Sequence, residues 1–413
     1  MAEGDAPARE AAENAARRSY GKLIAFLAAR TRDVAGAEDA LSEAFAAALA
    51  HWPQDGVPEN PEGWLLTVAR RKASDIARKN RRHQDASDHL KLMAEELTSA
   101  NDNGISDERL ALMFACAHPA IDAAIRAPLI LQTVLGFDAA TIASAFLIAP
   151  SSMGQRLVRA KTKIRHAGIP FRIPERADLR ERLDAVLEAI YAAYTEGWSD
   201  PVGTGLRRRN LATEVIWLGR LVVSLLPDEP EALGLLALML HTEARREARR
   251  DADGAFVPLD EQDTTRWNAA MIDEAEALLH RASRMNTIGR YQLEAALQSA
   301  HAVRRITGRA HWDAILALYD ALLAMTGSPV VAINRAIAVA ETQSPQAGLA
   351  ALDSYADDPR LSQYQPFWAA RAELLARTGQ TREADNAYER AIGLEADPAI
   401  RAFLQRKRAA LDR

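Results

Sequence analysis

Gly136-Phe-Asp-Ala-Ala-Thr-Ile-Ala-Ser-Ala-Phe-Leu-Ile-Ala-Pro-Ser-Ser-Met-Gly-Gln-Arg-Leu-Val-Arg-Ala-Lys161 reads as two helices around a tight turn. Asp138 can cap a short first helix ending near Phe146, because a carboxylate accepts from the free N–H groups of a first turn. Pro150 stops any continuation of that helix, and Ser151 or Ser152 caps the next. In the second helix Met153, Leu157, Ala160 and Ile164 share one face, and Gln155, Arg156, Arg159 and Lys163 share another. The first face suits a core. The second suits a DNA major groove: Ser151, Ser152, Gln155 and Arg156 match base edges, and Arg159, Lys161 and Lys163 match phosphates. The pattern is a helix-turn-helix with a usable recognition helix.

A second basic helix lies upstream. It begins near Pro61, where proline is tolerated, and carries Arg70, Arg71, Lys72, Arg78, Lys79, Arg81 and Arg82. Leu65, Ala69, Ala73 and Ile76 form its apolar stripe, and Asp75 and Arg78 stand at i,i+3. Before it, residues 51–61 hold three prolines and a glycine, which argues against helix there. A loop of exposed backbone beside a basic helix suits an unstacked base of a single strand. Charge alone fits two solvated helix faces equally well. Further upstream, residues 20–31 are amphipathic, and Ala37, Leu41, Phe45 and Leu49 recur every four residues as one stripe.

The whole chain agrees with helices. It has 413 residues, 48% hydrophobic and only 6% aromatic, with Ala, Leu, Arg and Glu abundant and β-branched runs sparse; this predicts an all-α protein of two or three domains. The net charge of −5 conceals the two basic helices in an otherwise acidic chain. A single cysteine, Cys116, excludes an internal disulfide and reads as a core thiol. The N-terminus lacks the apolar segment of a secretory signal, and no stretch approaches a membrane span, so the expectation is a soluble cytoplasmic protein.

Residues 84–106 are polar and read as a linker. Beyond Pro174 the chain is helix after helix. Trp368, Ala372, Leu375, Ala384, Tyr388 and Ala391 follow the small/large spacing of a tetratricopeptide helix pair. Ala336, Val339, Gly348 and Leu352 repeat it 36 residues earlier. Ala237, Leu240, Ala275, Leu279 and Ala282 form a looser copy, interrupted by an acidic stretch, Asp251–Asp263, that reads as a solvated insertion. An irregular helical domain is the alternative. Nucleotide-binding, zincin and serine-hydrolase motifs are all missing, and the nine histidines are scattered, so no catalytic residue, metal or cofactor is expected.

Residues 20–83 followed by 107–172 resemble the two conserved domains of sigma-70-type factors of the extracytoplasmic-function class. Ala37-Glu-Asp-Ala-Leu-Ser-Glu-Ala-Phe45 resembles the acidic helix that docks on the polymerase clamp. Trp64-Leu-Leu-Thr-Val-Ala-Arg70 with Asp75-Ile-Ala-Arg78 resembles the segment that opens and reads the −10 element, and the helix-turn-helix resembles the −35 reader. Asn210–Ser224 and Leu226–Leu240 resemble the subgroup with a long tetratricopeptide-like extension.

The resemblance implies a flexible N-terminus (1–19), region 2 (20–83), a linker (84–106), region 4 (107–174), a helical extension (175–285) and repeats (286–413). It implies polymerase contacts at Asp39, Leu41, Glu43 and Phe45. It implies −10 contacts at Trp52, Asp55, Asn60, Trp64, Arg70, Arg71, Lys72, Arg78 and Lys79, and −35 contacts at the helix-turn-helix residues above. The implied partners are core RNA polymerase, promoter DNA and a protein or peptide bound by the extension; none is a membrane. An ordinary helix-turn-helix regulator with a ligand- or protein-sensing helical domain is the other reading.

Overall fold

The computed structural model describes residues 5–31, 33–80, 108–146, 148–167, 169, 176–198 and 205–411. The protein is all-α, and among the described residues there is no strand beyond one isolated bridge, Arg250 to Phe256. The chain divides into two compact units, residues 1–193 and 194–413.

The first unit starts with α1 (Asp5–Thr31). The helix thus opens well before Tyr20, where a flexible N-terminus was expected. Alanine-rich sequence favours helix, and Ala8, Ala12 and Ala15 are buried at helical spacing. Next come α2 (Val34–Asp55) and α3 (Pro61–Asn80), both packed on α1. Asp33 caps α2 by accepting from the Gly36 N–H at 3.1 Å. That helix runs through Pro53, contrary to the sequence expectation. Pro53 has no N–H to donate to the Leu49 carbonyl, so the last turn of the helix goes without that hydrogen bond. The helix stops instead at Gly56, whose φ of 83° favours glycine and whose N–H donates to the Trp52 carbonyl at 3.0 Å. The buried set on α2 is Val34, Ala37, Ala40, Leu41, Ala44, Ala48 and Trp52, whereas Leu49 is 47% exposed. A strict spacing of four advances about 40° per step around a helix of 3.6 residues per turn. The expected stripe therefore walks off the core by Leu49.

Among the described residues four further helices follow in this unit: α4 (Glu108–Cys116), α5 (Ala123–Thr133), α6 (Ala139–Ala145) and α7 (Pro150–Ala167). Helix α4 packs on α1, and α7 touches both α5 and α2. Gly21 sits where a Cβ would fall 1.7 Å from the Val134 carbonyl oxygen, so only glycine admits the end of α5 against α1. Cys116 is the expected core thiol; its Sγ lies 3.4 Å from Thr133 Oγ1, and burial pushes it up to about 12. His118 closes the turn after α4 by accepting from the Ala120 N–H at 3.1 Å. The 84–106 linker lies outside the described residues. Helix α8 (Arg176–Trp198) carries the boundary between units.

The second unit continues with α9 (Gly205–Leu225), α10 (Pro230–Glu243), α11 (Ala269–Ser283), α12 (Arg290–Ala302) and the short α13 (Arg304–Thr307). It ends with α14 (Trp312–Thr326), α15 (Pro329–Thr342), α16 (Pro345–Asp353), α17 (Gln365–Arg377), α18 (Thr381–Leu394) and α19 (Pro398–Ala409). From α14 onward each helix packs on the next in the chain. A Cβ on Gly348 would fall 2.5 Å from Ala340 Cβ and 2.7 Å from the Ala336 carbonyl, so α15 and α16 touch through small residues. Ala372, Leu375, Ala384, Tyr388 and Ala391 are buried in one core with Ala336 and Leu352. The acids of the Asp251–Asp263 stretch are exposed, as expected of a solvated insertion, and the stretch is also tied down locally. Asp251 Oδ1 accepts from the Asp253 and Ala255 N–H groups at 3.0 and 2.8 Å. Phe256 stacks edge-on to Phe403 at 5.5 Å, and Arg250 pairs with Asp397 at 2.5 Å.

Candidate nucleic-acid interface

The short helix α6 and the longer α7 are built as the sequence requires. Asp138 accepts from the Ala140 and Thr141 N–H groups at 2.9 Å each and from Thr141 Oγ1 at 2.9 Å. Those hydrogen bonds hold its carboxyl below the usual carboxylate range. The start of α7 differs from expectation: Pro150 is its first residue, so Ser151 and Ser152 lie inside the first turn and do not cap it. A proline loses nothing at that position, because the first N–H groups of a helix have no intrahelical acceptor.

Met153, Leu157, Ala160 and Ile164 are buried, and Ser151, Gln155, Arg156, Arg159 and Lys163 are exposed, with Ser152 half-buried. The Arg159 Nε donates to the Gln155 carbonyl at 3.3 Å, one turn back. Between them stands a residue that the sequence reading passed over. Val158 is 65% exposed on this polar face, and Thr162 Oγ1 donates to its carbonyl at 3.0 Å. Its signal was an apolar side chain out of phase with the buried stripe.

Lys161 does not stand with the free cations. Its Nζ lies 2.5 Å from Glu38 Oε2 on α2, with side-chain exposures of 12% and 16%. Burial raises the Glu38 carboxyl above its usual value, outweighing the opposing pull of Lys161. The other Glu38 oxygen, Oε1, is buried with no hydrogen-bond partner.

The α2–α3 face is mixed. Asp39 and Glu43 are exposed and Phe45 is half-buried. Leu41, expected at a partner surface, is fully buried. It lies on the same face as Ala37, Ala44 and Ala48, and the helix turns it inward. Trp52 is likewise only 2% exposed and meets Trp64 edge-on at 5.5 Å. Because α2 continues past Pro53, its last turn carries that indole into the core and away from any strand. Asp55 and Asn60 flank the Gly56 turn, both exposed; Asn60 Oδ1 accepts from the Gly63 N–H at 2.9 Å and so opens α3.

On α3, Leu65 and Ala69 are buried as expected, and Arg70, Arg71 and Lys72 are exposed. Arg70 lies 4.6 Å over the Phe26 ring, and Lys72 pairs with Glu43 at 2.9 Å. A solvent-facing pair of that kind contributes roughly 0–1 kcal/mol and is readily exchanged for another partner. The side chains of Arg78 and Lys79 lie outside the described residues. Among the described residues no group of ligating side chains could hold a metal, and no helix is long and apolar enough to cross a membrane.

The sigma-70 region 2 family matches residues 16–83, which covers most of α1, α2 and α3. A family of unknown function, DUF6596, matches residues 182–283, from α8 to α11. The Uncharacterized protein R00370 of Rhizobium meliloti (strain 1021) is 38% identical over 378 residues, spanning 89% of this chain and 88% of that protein. No solved structure matches.

Proposed function

This chain belongs to the sigma-70 family, and on that premise we propose that it is an alternative sigma factor of the extracytoplasmic-function class. In this reading Asp39 and Glu43 on α2, with Phe45 beside them, meet basic residues of the polymerase clamp. The exposed Arg70, Arg71 and Lys72 on α3, with Asp55, Asn60 and Trp64 near the loop, hold the displaced −10 strand through its backbone charge. Helix α7 reads the −35 duplex through Gln155 and Arg156, with Arg159 and Lys163 on phosphates. Each good base contact contributes roughly 1–3 kcal/mol, so two tethered readers reach a specificity that neither has alone. The protein works in the cytoplasm and catalyses nothing itself. The helices beyond α9, tetratricopeptide-like in their small-residue contacts, support or regulate that activity.

The observation that carries this is the region 2 match together with one face of α7 that is polar, basic and exposed while its opposite face is wholly buried. Run-off transcription tests it. Purified chain and bacterial core RNA polymerase are incubated with a library of genomic fragments. Discrete transcripts that require the chain are expected. Transcripts identical with and without it, or no co-purification with core polymerase, would overturn the reading.

A further inference from the structure

The second unit holds a half-open cavity of about 540 Å³, a size ordinary for small-molecule sites. The loop at Pro258–Glu261 closes one side, and α15, α17, α18 and α19 contribute the others. Trp312, Tyr388 and Phe403 supply aromatic surface. Its lining carries four carboxylates, Asp260, Glu261, Glu341 and Glu373, and four cations, Arg304, Arg309, Arg377 and Lys407, of which only some are paired. Arg377 pairs with Glu341 at 2.5 Å, and Lys407 pairs with Glu373 at 3.4 Å, where Tyr388 also donates at 3.0 Å. Asp260 and Glu261 are exposed on the closing loop.

Arg304 and Arg309 have no such match among the described residues. Arg304 donates to the Gln262 carbonyl at 2.9 Å and lies 5.5 Å from the Trp267 ring, but meets no carboxylate. Arg309 has no side-chain partner. Near Arg304 lies Arg245, whose guanidinium donates to the Gln298 amide oxygen at 2.5 Å and likewise meets no carboxylate. Burial, reinforced by Arg249 and Arg304, holds Arg245 down at about 10. His301, on the cavity wall, is pushed down to about 4 by burial first, then by Arg245 and Arg304. A neutral imidazole there still offers an N–H. This end of the cavity therefore carries two guanidinium groups, Arg304 and Arg309, that make no ion pair among the described residues, next to an aromatic wall. A half-buried guanidinium beside a cavity forms charge-assisted hydrogen bonds with an anion brought against it.

We propose that the cavity binds a small organic anion, a carboxylate on an aromatic or aliphatic body, with its charge held by Arg304 and Arg309 beside His301. Its body lies against Trp312, Tyr388 and Phe403. The site lies within the second unit, and the proposal does not depend on the transcription reading. Such a ligand would make the second unit a sensor.

The test uses the full chain with 2-naphthoate and its uncharged isostere, 2-naphthamide, titrated by calorimetry. Saturable binding of one naphthoate per chain is expected, at least about tenfold tighter than the amide. Arg309→Gln, at an exposed position that fold stability does not need, and Arg304→Gln should each weaken naphthoate about fivefold or more and leave the amide unchanged. Equal affinity for acid and amide, no saturable naphthoate binding, or naphthoate binding indifferent to Arg309→Gln would each overturn the proposal.

Discussion

Lys161 on α7 is bonded to Glu38 on α2, at 2.5 Å and largely out of water. The two residues stand 123 positions apart and join α7 to α2 within the first unit. The sequence expectation placed Lys161 on a phosphate; in this arrangement the ammonium is already engaged.

Removing each partner of that pair should have unequal effects. Lys161→Met leaves a buried carboxylate without its cation and should cost about 2–4 kcal/mol near pH 7.5. Glu38 already titrates above its ordinary value, and losing Lys161 raises it further. A raised carboxyl pKa means the folded state holds its proton more tightly than the unfolded state. The lost stability should therefore return as pH falls toward 5. Glu38→Gln, which keeps an acceptor for Lys161, should cost less than Lys161→Met. Chemical denaturation of the three proteins at pH 7.5 and pH 5 measures this, and equal losses from the two variants at both values would contradict it.

Two glycines in the first unit should respond in opposite directions. Gly21→Ala places a methyl carbon against the Val134 carbonyl, a backbone atom that cannot step aside, and should destabilise by more than about 2 kcal/mol. Gly154→Ala, in α7 with nothing within 4 Å of the new carbon, should stabilise by roughly 0.5–1 kcal/mol through helix propensity. Thermal unfolding distinguishes them.

The exposed face of α7 should divide into readers and anchors. Once a bound duplex has been selected, Lys163→Ala should weaken all sequences alike and lower the salt slope by about one. Val158→Ala should instead relax preference at one position, because an exposed branched side chain fits a thymine methyl. Binding measured across a salt series and a single-base substitution series separates the two effects.

Cys116 should be chemically silent in the native protein. Its thiol is buried and pushed up to about 12, so thiolate is scarce at pH 8. Iodoacetamide should label it only after denaturant is added, as read by mass spectrometry. Rapid native labelling would show that the α4–α5 contact opens.

The second unit should lose stability in mild acid. His241 and His301 are both pushed down to about 4, each by burial first and then by Arg245. In the unfolded chain they titrate near 6.5, so between those values only the unfolded state takes up the protons. The stability they contribute is complete above about pH 6.5 and falls as pH drops toward 4, by an amount on the order of 3 kcal/mol per histidine. His241→Gln with His301→Gln should flatten the pH dependence of unfolding in that window.

Several features of this protein were fixed by local chemistry and could be read in the chain. The buried face of α7 obeys helical periodicity, Asp138 caps α6 through its own carboxylate, and Cys116 lies among small apolar neighbours. Each follows from residues within a few positions of one another, because backbone hydrogen bonding and period-3.6 geometry act over that range. Leu49 was misplaced because a spacing of four approximates the helical period and drifts from it, whereas Leu41 lies buried in the stripe and so cannot serve the partner surface that the resemblance implied. Trp52 was misplaced because three prolines suggested a loop, whereas α2 runs through Pro53 to Asp55 and carries the indole into the core. The pairing of Lys161 with Glu38, the seat of the α5 end on Gly21 and the uncompensated cations around Arg304 depend on segments far apart in the chain. Which distant charges share a low-dielectric space is decided by how the helices stack, and no local pattern of residues encodes it.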